Sequence, residues 1–324
     1  MAEWLVEEGI GEHRAIRLDS GHIVAAQVEW PGELVAGLIE DATLVSRIAG
    51  SGRGTARFAS GEEALVDRLP RSAGEGAPIR LQVTRPALGE RGRRKLARAR
   101  FSEESVCPAP PLAARLRAEG HDVRVLRTFP AGDFAELVTE AFASEVGFPG
   151  GSLQFSPTPA MLLIDVDGTS DPGALALAAV KPLADALRRF DVGGSIGVDF
   201  PTLASKPDRR VVDEALAAAL AGWPHERTAM NGFGFVQLVA RLKRPSLLHR
   251  ATFQRAELAA RQLLRQAERL EGTGAILLSA HPSLEARMRP EWLAELALRT
   301  GREVRFEART ALALEAPQAQ LVPR

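Results

Sequence analysis

Two buried-strand patterns flank one long helical stretch near the middle of the chain, and no other feature restricts the fold as much. Met161 to Val166 is apolar apart from Asp165 and runs into Asp165-Val166-Asp167-Gly168. Pro172 to Phe190 follows, rich in alanine and leucine, and Gly193 to Phe200 repeats the buried-strand pattern with Asp199 near its end. Strand, helix, strand predicts a β-α-β unit. A right-handed crossover sets its strands parallel, with their carboxyl ends side by side over one crevice.

The chain keeps this alternation from Asp122 onward. Asp122 to Leu126 alternates as a strand, and Asp133 to Ser144 has helical spacing with Phe134, Leu137, Val138 and Phe142 on one face. Asp208 to Ala221 and Ala251 to Leu270 read as helices, Ala275 to Ser279 as a strand, Pro290 to Arg299 as a helix and Glu303 to Phe306 as the final strand. The tail from Ala316 to Arg324 is expected to be loose. The pattern is α/β. The first hundred residues differ: short runs such as Ala15 to Leu18, Ile23 to Val28, Arg47 to Ala49 and Ile79 to Val83 are broken by turn residues, which predicts a small barrel or meander, with an OB-type module as one option. At 324 residues, two or three packed units are expected.

Two carboxylates at neighbouring strand ends repel unless something neutralises them, and a hard divalent cation bound through oxygen does so. Asp165 and Asp199 are therefore candidate metal ligands. Asp167 shares the face of Asp165, because Val166 points the other way, and is a candidate third oxygen. The plain alternative is that these aspartates only end strands and open turns. Both readings stand on pattern alone. Leu81 to Phe101 holds the densest positive charge, with Arg85, Arg91, Arg93, Arg94, Lys95, Arg98 and Arg100 against Glu90. It reads equally as a phosphate contact or as a solvated hairpin tip.

Other signals exclude more than they assign. Forty-one basic residues balance 41 acidic ones, so net charge does not steer the chain to nucleic acid. Only four of those cations are lysines, an arginine bias that suits bidentate phosphate contacts but equally reflects codon usage. Cys107 is the single cysteine, which rules out intrachain disulfides and multi-cysteine zinc clusters. It precedes prolines and lacks a local base, so it reads as an inert thiol. Gly50, Gly52 and Gly54 lack a following helix and read as a turn rather than a phosphate cradle. Gly193-Gly-Ser195-Ile-Gly197 matches a nucleophile-elbow pattern, but Ser195 opens a strand instead of a strand-to-helix turn. No apolar run reaches membrane-spanning length, and Met1 to Ser20 carries acids where a signal peptide is basic and then apolar, so a cytoplasmic protein is expected.

Four motifs in order give the second half a resemblance. They are Gly150-Gly-Ser-Leu; Thr158-Pro-Ala with Ile164-Asp-Val-Asp-Gly; Asp191-Val-Gly-Gly-Ser-Ile-Gly-Val-Asp-Phe200; and Asn231-Gly-Phe-Gly ahead of the basic cluster Arg241 to Arg244. In this order and spacing the chain resembles the ribonuclease E/G family of bacterial endoribonucleases. The resemblance implies an α/β fold with RNase-H-like and DNase-I-like subdomains, an inserted degenerate S1/OB β-barrel and a small C-terminal α/β domain. The implied boundaries are 1–35 plus 101–149 for the RNase-H-like part, 36–100 for the barrel, 150–250 for the DNase-I-like catalytic part and 251–324 for the C-terminal domain. It further implies that Asp165 and Asp199 hold one magnesium ion, with manganese an acceptable substitute. A metal-activated water would then cleave single-stranded RNA to leave 5′-phosphate and 3′-hydroxyl ends. Asp167 stands where the family has asparagine and would tune or assist the site. Arg241, Lys243 and Arg244 would hold the scissile phosphate, and Arg93, Arg94 and Lys95 the RNA backbone.

The departures from the family are specific. Its paired-cysteine zinc link is missing, so neither zinc nor zinc-clamped dimerisation is expected, although another oligomer remains open. Too few residues separate the barrel from the catalytic region to hold the usual 5′-phosphate sensor. Pro159 and Gln237 replace glutamates, the helix over Leu175 to Leu183 is bland, and Arg57 and Leu65 occupy aromatic stacking positions beside Phe58. These losses favour an alternative, an RNA-binding protein on the same scaffold with little or no nuclease activity. A phosphohydrolase acting on a small nucleotide shares the aspartate pair but requires a closed pocket.

Overall fold

The computed structural model describes residues 3–90, 92–130 and 134–323. Met1, Arg91, Asp133 and Arg324, each part of a segment read above, lie outside the described residues. An antiparallel meander opens the chain: β1 (Trp4–Gly9), β2 (Glu12–Asp19) and β3 (His22–Glu29). The barrel strands β4 (Ile39–Arg47), β5 (Gly54–Arg57), β6 (Glu63–Asp67) and β7 (Pro78–Arg85) come next, then a hairpin of β8 (Leu88–Glu90) and β9 (Arg93–Lys95), then β10 (Ala97–Phe101). Strand order β10-β6-β5-β4-β7 closes on itself, with β10 parallel to β6 and antiparallel to β7. Period-two alternation fills this barrel: Ala42, Leu44, Ala56, Ala64, Val66, Leu81, Val83 and Ala99 point inward.

After the barrel, α1 (Leu112–Ala118) leads to β11 (Val123–Leu126), which returns to the first sheet and pairs in parallel with β1. Helix α2 (Phe134–Ala143) then precedes a six-stranded sheet: β12 (Glu145–Phe148), β13 (Gly151–Pro157), β14 (Leu162–Gly168), β15 (Gly194–Asp199), β16 (His225–Arg227) and β17 (Phe235–Ala240), with α3 (Pro172–Arg189) and α4 (Lys206–Ala219) between its strands. Only β14 and β15 pair in parallel, across α3. Asp171 caps α3 by accepting from the amides of Gly173 and Ala174, and Pro172 sits at its first turn, where a missing amide hydrogen costs nothing. One face of α3 (Leu175, Ala176, Ala179, Val180, Leu183 and Leu187) is buried in the same cluster as Leu162, Ile164, Val166, Ile196 and Val198. The other face of the strands is left uncovered at the aspartates.

The chain closes with α5 (Leu247–Phe253), α6 (Arg255–Glu268), β18 (Ala275–Ala280), α7 (Pro282–Glu285), α8 (Pro290–Thr300), β19 (Val304–Ala308) and β20 (Gln318–Val322). Four sequence expectations need correction here. The strand placed at Arg47 to Ala49 ends at Arg47 and begins at Ile39, because Ile48 and Ala49 enter the turn closed by the Ser51 amide to the Ile48 carbonyl. The helix expected over Ala251 to Leu270 is two helices. Ser246 caps the first, and Gln254 breaks the run at φ −133° and ψ 41°. The tail is not loose, and Glu303 to Phe306 is not the final strand. β20 pairs antiparallel with β18 from Gln318 to Val322, which covers the edge of a strand whose Ile276 and Leu278 are fully buried. Among the described residues no helix is long and apolar enough to cross a membrane.

Candidate functional site

In the parallel register of β14 and β15, Asp165 stands directly opposite Asp199. Neighbouring strands lie ~4.8 Å apart, so the two carboxylates share one side of the sheet within bridging distance of a single cation. The sequence pattern alone placed them so. Their sheet neighbours Ile164, Val166 and Val198 are buried, while Asp165, Asp167 and Asp199 are exposed. Asp167 continues the same face one pleat further on, opposite Ser152, and its Oδ1 accepts from the Gly168 amide at 2.9 Å. The row across the sheet at the pair reads Glu145, Gln154, Asp165, Asp199 and Phe235.

Charge crowding leaves a mark on this face. Partial burial, then Asp199, then Asp167, push the Asp165 carboxyl above the usual range for an aspartate. The folded chain therefore holds a proton on Asp165 to a higher pH than the unfolded chain does. Ionising it costs stability as pH rises from the unfolded value, ~3.9, through the raised folded value. In a metal chelator, Asp165→Asn is expected to melt above the native chain at pH 7, with the gap closing near pH 3.5, where both states are protonated. Melting curves at the two pH values check this, and a variant that melts lower at pH 7 overturns it.

Two aromatic side chains that the sequence reading passed over belong to this end of the sheet. Asn231 Oδ1 accepts from the amides of Phe233 and Phe235, at 2.9 and 3.1 Å, and builds a tight turn. Gly234 completes it at φ +89°, where a Cβ would sit 2.3 Å from the Phe200 carbonyl oxygen. The turn carries Phe233 79% exposed. Phe235 lies over Gly197, with its ring 2.5 Å from where a Cβ would be. The Asn-Gly-Phe-Gly motif held the signal, since a phenylalanine between two turn glycines has no core to enter.

The basic residues do not gather around the aspartates. β17 runs antiparallel to β15 and starts opposite Asp199, so Arg241 lies six residues further on, roughly 20 Å away at ~3.3 Å per residue. Arg241 is exposed, Lys243 pairs with Glu119 at 3.3 Å, and Arg244 is ion-paired to Asp191. The hairpin cations are surface groups with acidic partners: Arg93 and Lys95 contact Glu90 at 2.6 and 3.2 Å, and Arg94 lies 3.6 Å from Glu62. The hairpin packs on α5 through Gly89 and Phe253. On the outer face of β5 and β6, Arg57 pairs with Glu63 and Arg53 with Asp67, while Leu65 is exposed. Phe58 is buried in the barrel and is unavailable for stacking.

Among the described residues no three His, Cys, Asp or Glu side chains converge as a metal-ligand set. The pair Asp165 and Asp199 still fits magnesium, which commonly takes one or two carboxylates and completes its shell with water and substrate phosphate. Ser195 lies at the start of β15, which continues as strand to Asp199, so the strand-to-helix turn of an elbow is absent there. Cys107 is exposed and bridges Ile39 through its backbone. Compared with family models and with curated proteins, the chain matches none.

Proposed function

We propose that the chain is a compact, divergent member of the ribonuclease E/G family, a magnesium-dependent endoribonuclease acting on single-stranded RNA in the cytoplasm. The observation that carries this reading is the direct register of Asp165 against Asp199 on an uncovered sheet face. Two like charges held together there raise the energy of the unliganded site, and a cation relieves it. Bound at the pair, the ion supplies a water nucleophile and neutralises charge on the phosphoryl oxygens. The open face admits a polymer where a closed pocket would admit only a small nucleotide. Phe233 and Phe235 would stack bases beside the scissile bond, work for which the described outer-face residues of β5 and β6, Arg57, Glu63 and Leu65, offer no ring.

The surrounding units support the same reading. The closed five-stranded barrel, with its third and fifth strands parallel, supports reading it as an OB-type module. It is inserted into a sheet formed by 1–35 and 101–149, ahead of a DNase-I-like part over 150–250 and a small α/β part over 251–324. Arg241 and Lys243, which follow β17, lie too far from Asp199 to touch the scissile phosphate and would grip RNA further along the strand, while Arg244 is held by Asp191. The test is incubation of an end-labelled, unstructured, AU-rich RNA with and without magnesium. Magnesium-dependent internal cuts bearing 5′-phosphates support the proposal, and intact RNA under magnesium and manganese alike overturns it.

One observation favours a second reading, RNA binding with little or no cleavage. Among the described residues no cation lies in the sheet row of the aspartates, and the outer barrel face is charge-paired. Intact RNA combined with a salt-sensitive gel shift would select it. Phe233→Ala tests this surface: it is expected to weaken RNA binding about 5- to 140-fold, the equivalent of one lost base stack. An equilibrium gel-shift titration measures this, and an unchanged affinity removes Phe233 from the interface.

A further inference from the structure

The basic residues after β17 line a cavity of about 290 Å³ between the first sheet and the six-stranded sheet, at the end of β17 remote from Asp199. Its walls include Trp4, Arg17 and Gln27 from the meander, Trp223 from the loop after α4, and Arg241 and Lys243. Asp191, the one acid among the described lining residues, is already ion-paired to Arg244. The lining is therefore cationic and aromatic at once. Three polar atoms on its lining residues, Trp4 Nε1, Arg17 Nε and Gln27 Oε1, are buried and have no hydrogen-bond partner among the described residues. Trp4 is 4% exposed and Gln27 9% exposed, so bulk water reaches neither easily. Arg241 is exposed and makes no ion pair among the described residues.

We propose that this cavity binds a single phosphorylated nucleoside. Arg17 and Arg241 meet the phosphate, and the indoles of Trp4 and Trp223 wall the base. The volume lies near the lower end for ligand pockets and is far larger than an inorganic anion requires. Trp223 is half-buried, with one ring face stacked on His225 at 5.2 Å, which fixes the indole as a rigid wall. The nucleotide has two possible sources, free nucleoside monophosphate or one unstacked nucleotide of an RNA strand. The inference does not rest on the nuclease reading, because binding is measured without cleavage and away from the aspartates.

The test is titration of the whole chain, in a metal chelator, with adenosine 5′-monophosphate, followed by tryptophan fluorescence and calorimetry. Saturable binding is expected, with adenosine and inorganic phosphate each at least about tenfold weaker. Arg17→Gln and Arg241→Gln should each weaken binding about tenfold or more, while Asp199→Asn leaves it unchanged. A triadenylate that binds more tightly than the monophosphate assigns the site to RNA, and the reverse order assigns it to the free nucleotide. No saturable response to either probe up to about 10 mM overturns the proposal, as does native affinity in both arginine variants. Arg241 is exposed, so its variant should keep the native melting curve and decides the matter if Arg17→Gln unfolds.

Discussion

Asp199→Asn is expected to lower magnesium-dependent RNA cleavage by about 10³-fold or more, equivalent to about 4 kcal/mol of lost transition-state stabilisation. The size follows from the donor count. With two carboxylates in register and no third acidic, histidine or cysteine ligand converging among the described residues, removing one leaves a single strong oxygen donor. Asn retains the shape and a neutral oxygen, so the change isolates charge. Asp199 is exposed at a strand end, and its loss should alter stability by no more than about 0.5 kcal/mol. Asp165→Asn should lose activity as deeply while gaining stability at neutral pH, since it removes the carboxyl whose ionisation the neighbouring acids oppose. Single-turnover cleavage of end-labelled RNA, set beside thermal melting of the same samples, reads both quantities. Cleavage within tenfold of native in Asp199→Asn would sink the assignment of the pair as the metal site.

The aspartate pair was legible because a β-α-β unit leaves little freedom: handedness and strand direction are fixed, and Asp165 and Asp199 each sit near an apolar strand's carboxyl end. The basic cluster was not, because sequence distance carries no direction. Arg241 follows the Asn231 turn by ten residues, but β17 returns antiparallel to β15, and each residue after Phe235 moves away from Asp199. Phe58 gave the opposite lesson. Beside the exposed Arg57 it looked available for stacking, yet a period of two sends neighbouring side chains to opposite faces, and it closes the barrel core. β4 was hidden because Glu40 and Asp41 mimic a turn at its start, although Ala42 and Leu44 keep the inward alternation. β20 escaped notice because Gln318 to Val322 is too short and polar to declare itself, and only the edge of β18 makes it a strand.

The fold's own stability should depend on a carboxylate no motif marked: Glu7→Ala is expected to cost about 3–5 kcal/mol, a large share of the 5–15 kcal/mol available to a domain. Glu7 is fully buried in β1 and accepts from Arg14 at 2.8 Å, from Arg269 at 2.9 Å and from the Phe129 amide. Arg265 approaches it at 3.6 Å, and its guanidinium lies over Gly9, where a Cβ would collide with it. The carboxylate thus ties the first strand to Arg269, the C-cap of α6, across 262 positions of sequence. Arg14 is itself buried, against the Phe134 ring at 4.5 Å. Burial pulls its guanidinium below the ordinary value, against the pull of Glu12 and Glu7. Without Glu7 that charge loses its hydrogen-bonded carboxylate, keeping only Glu12 at 3.6 Å, and the Phe129 amide loses its acceptor, and both penalties fall on the folded state alone. Urea unfolding of Glu7→Ala and Glu7→Gln measures the loss, with Gln expected to cost less because it keeps an acceptor for the amide. The paired change Glu7→Leu with Arg14→Met should cost less than the sum of its single changes, because a buried ion pair is held against a desolvation cost that apolar side chains do not bear. A loss below about 1 kcal/mol for Glu7→Ala would mean that water enters where Glu7 was and solvates Arg14, and the buried network would then contribute little to holding α6 on the first sheet.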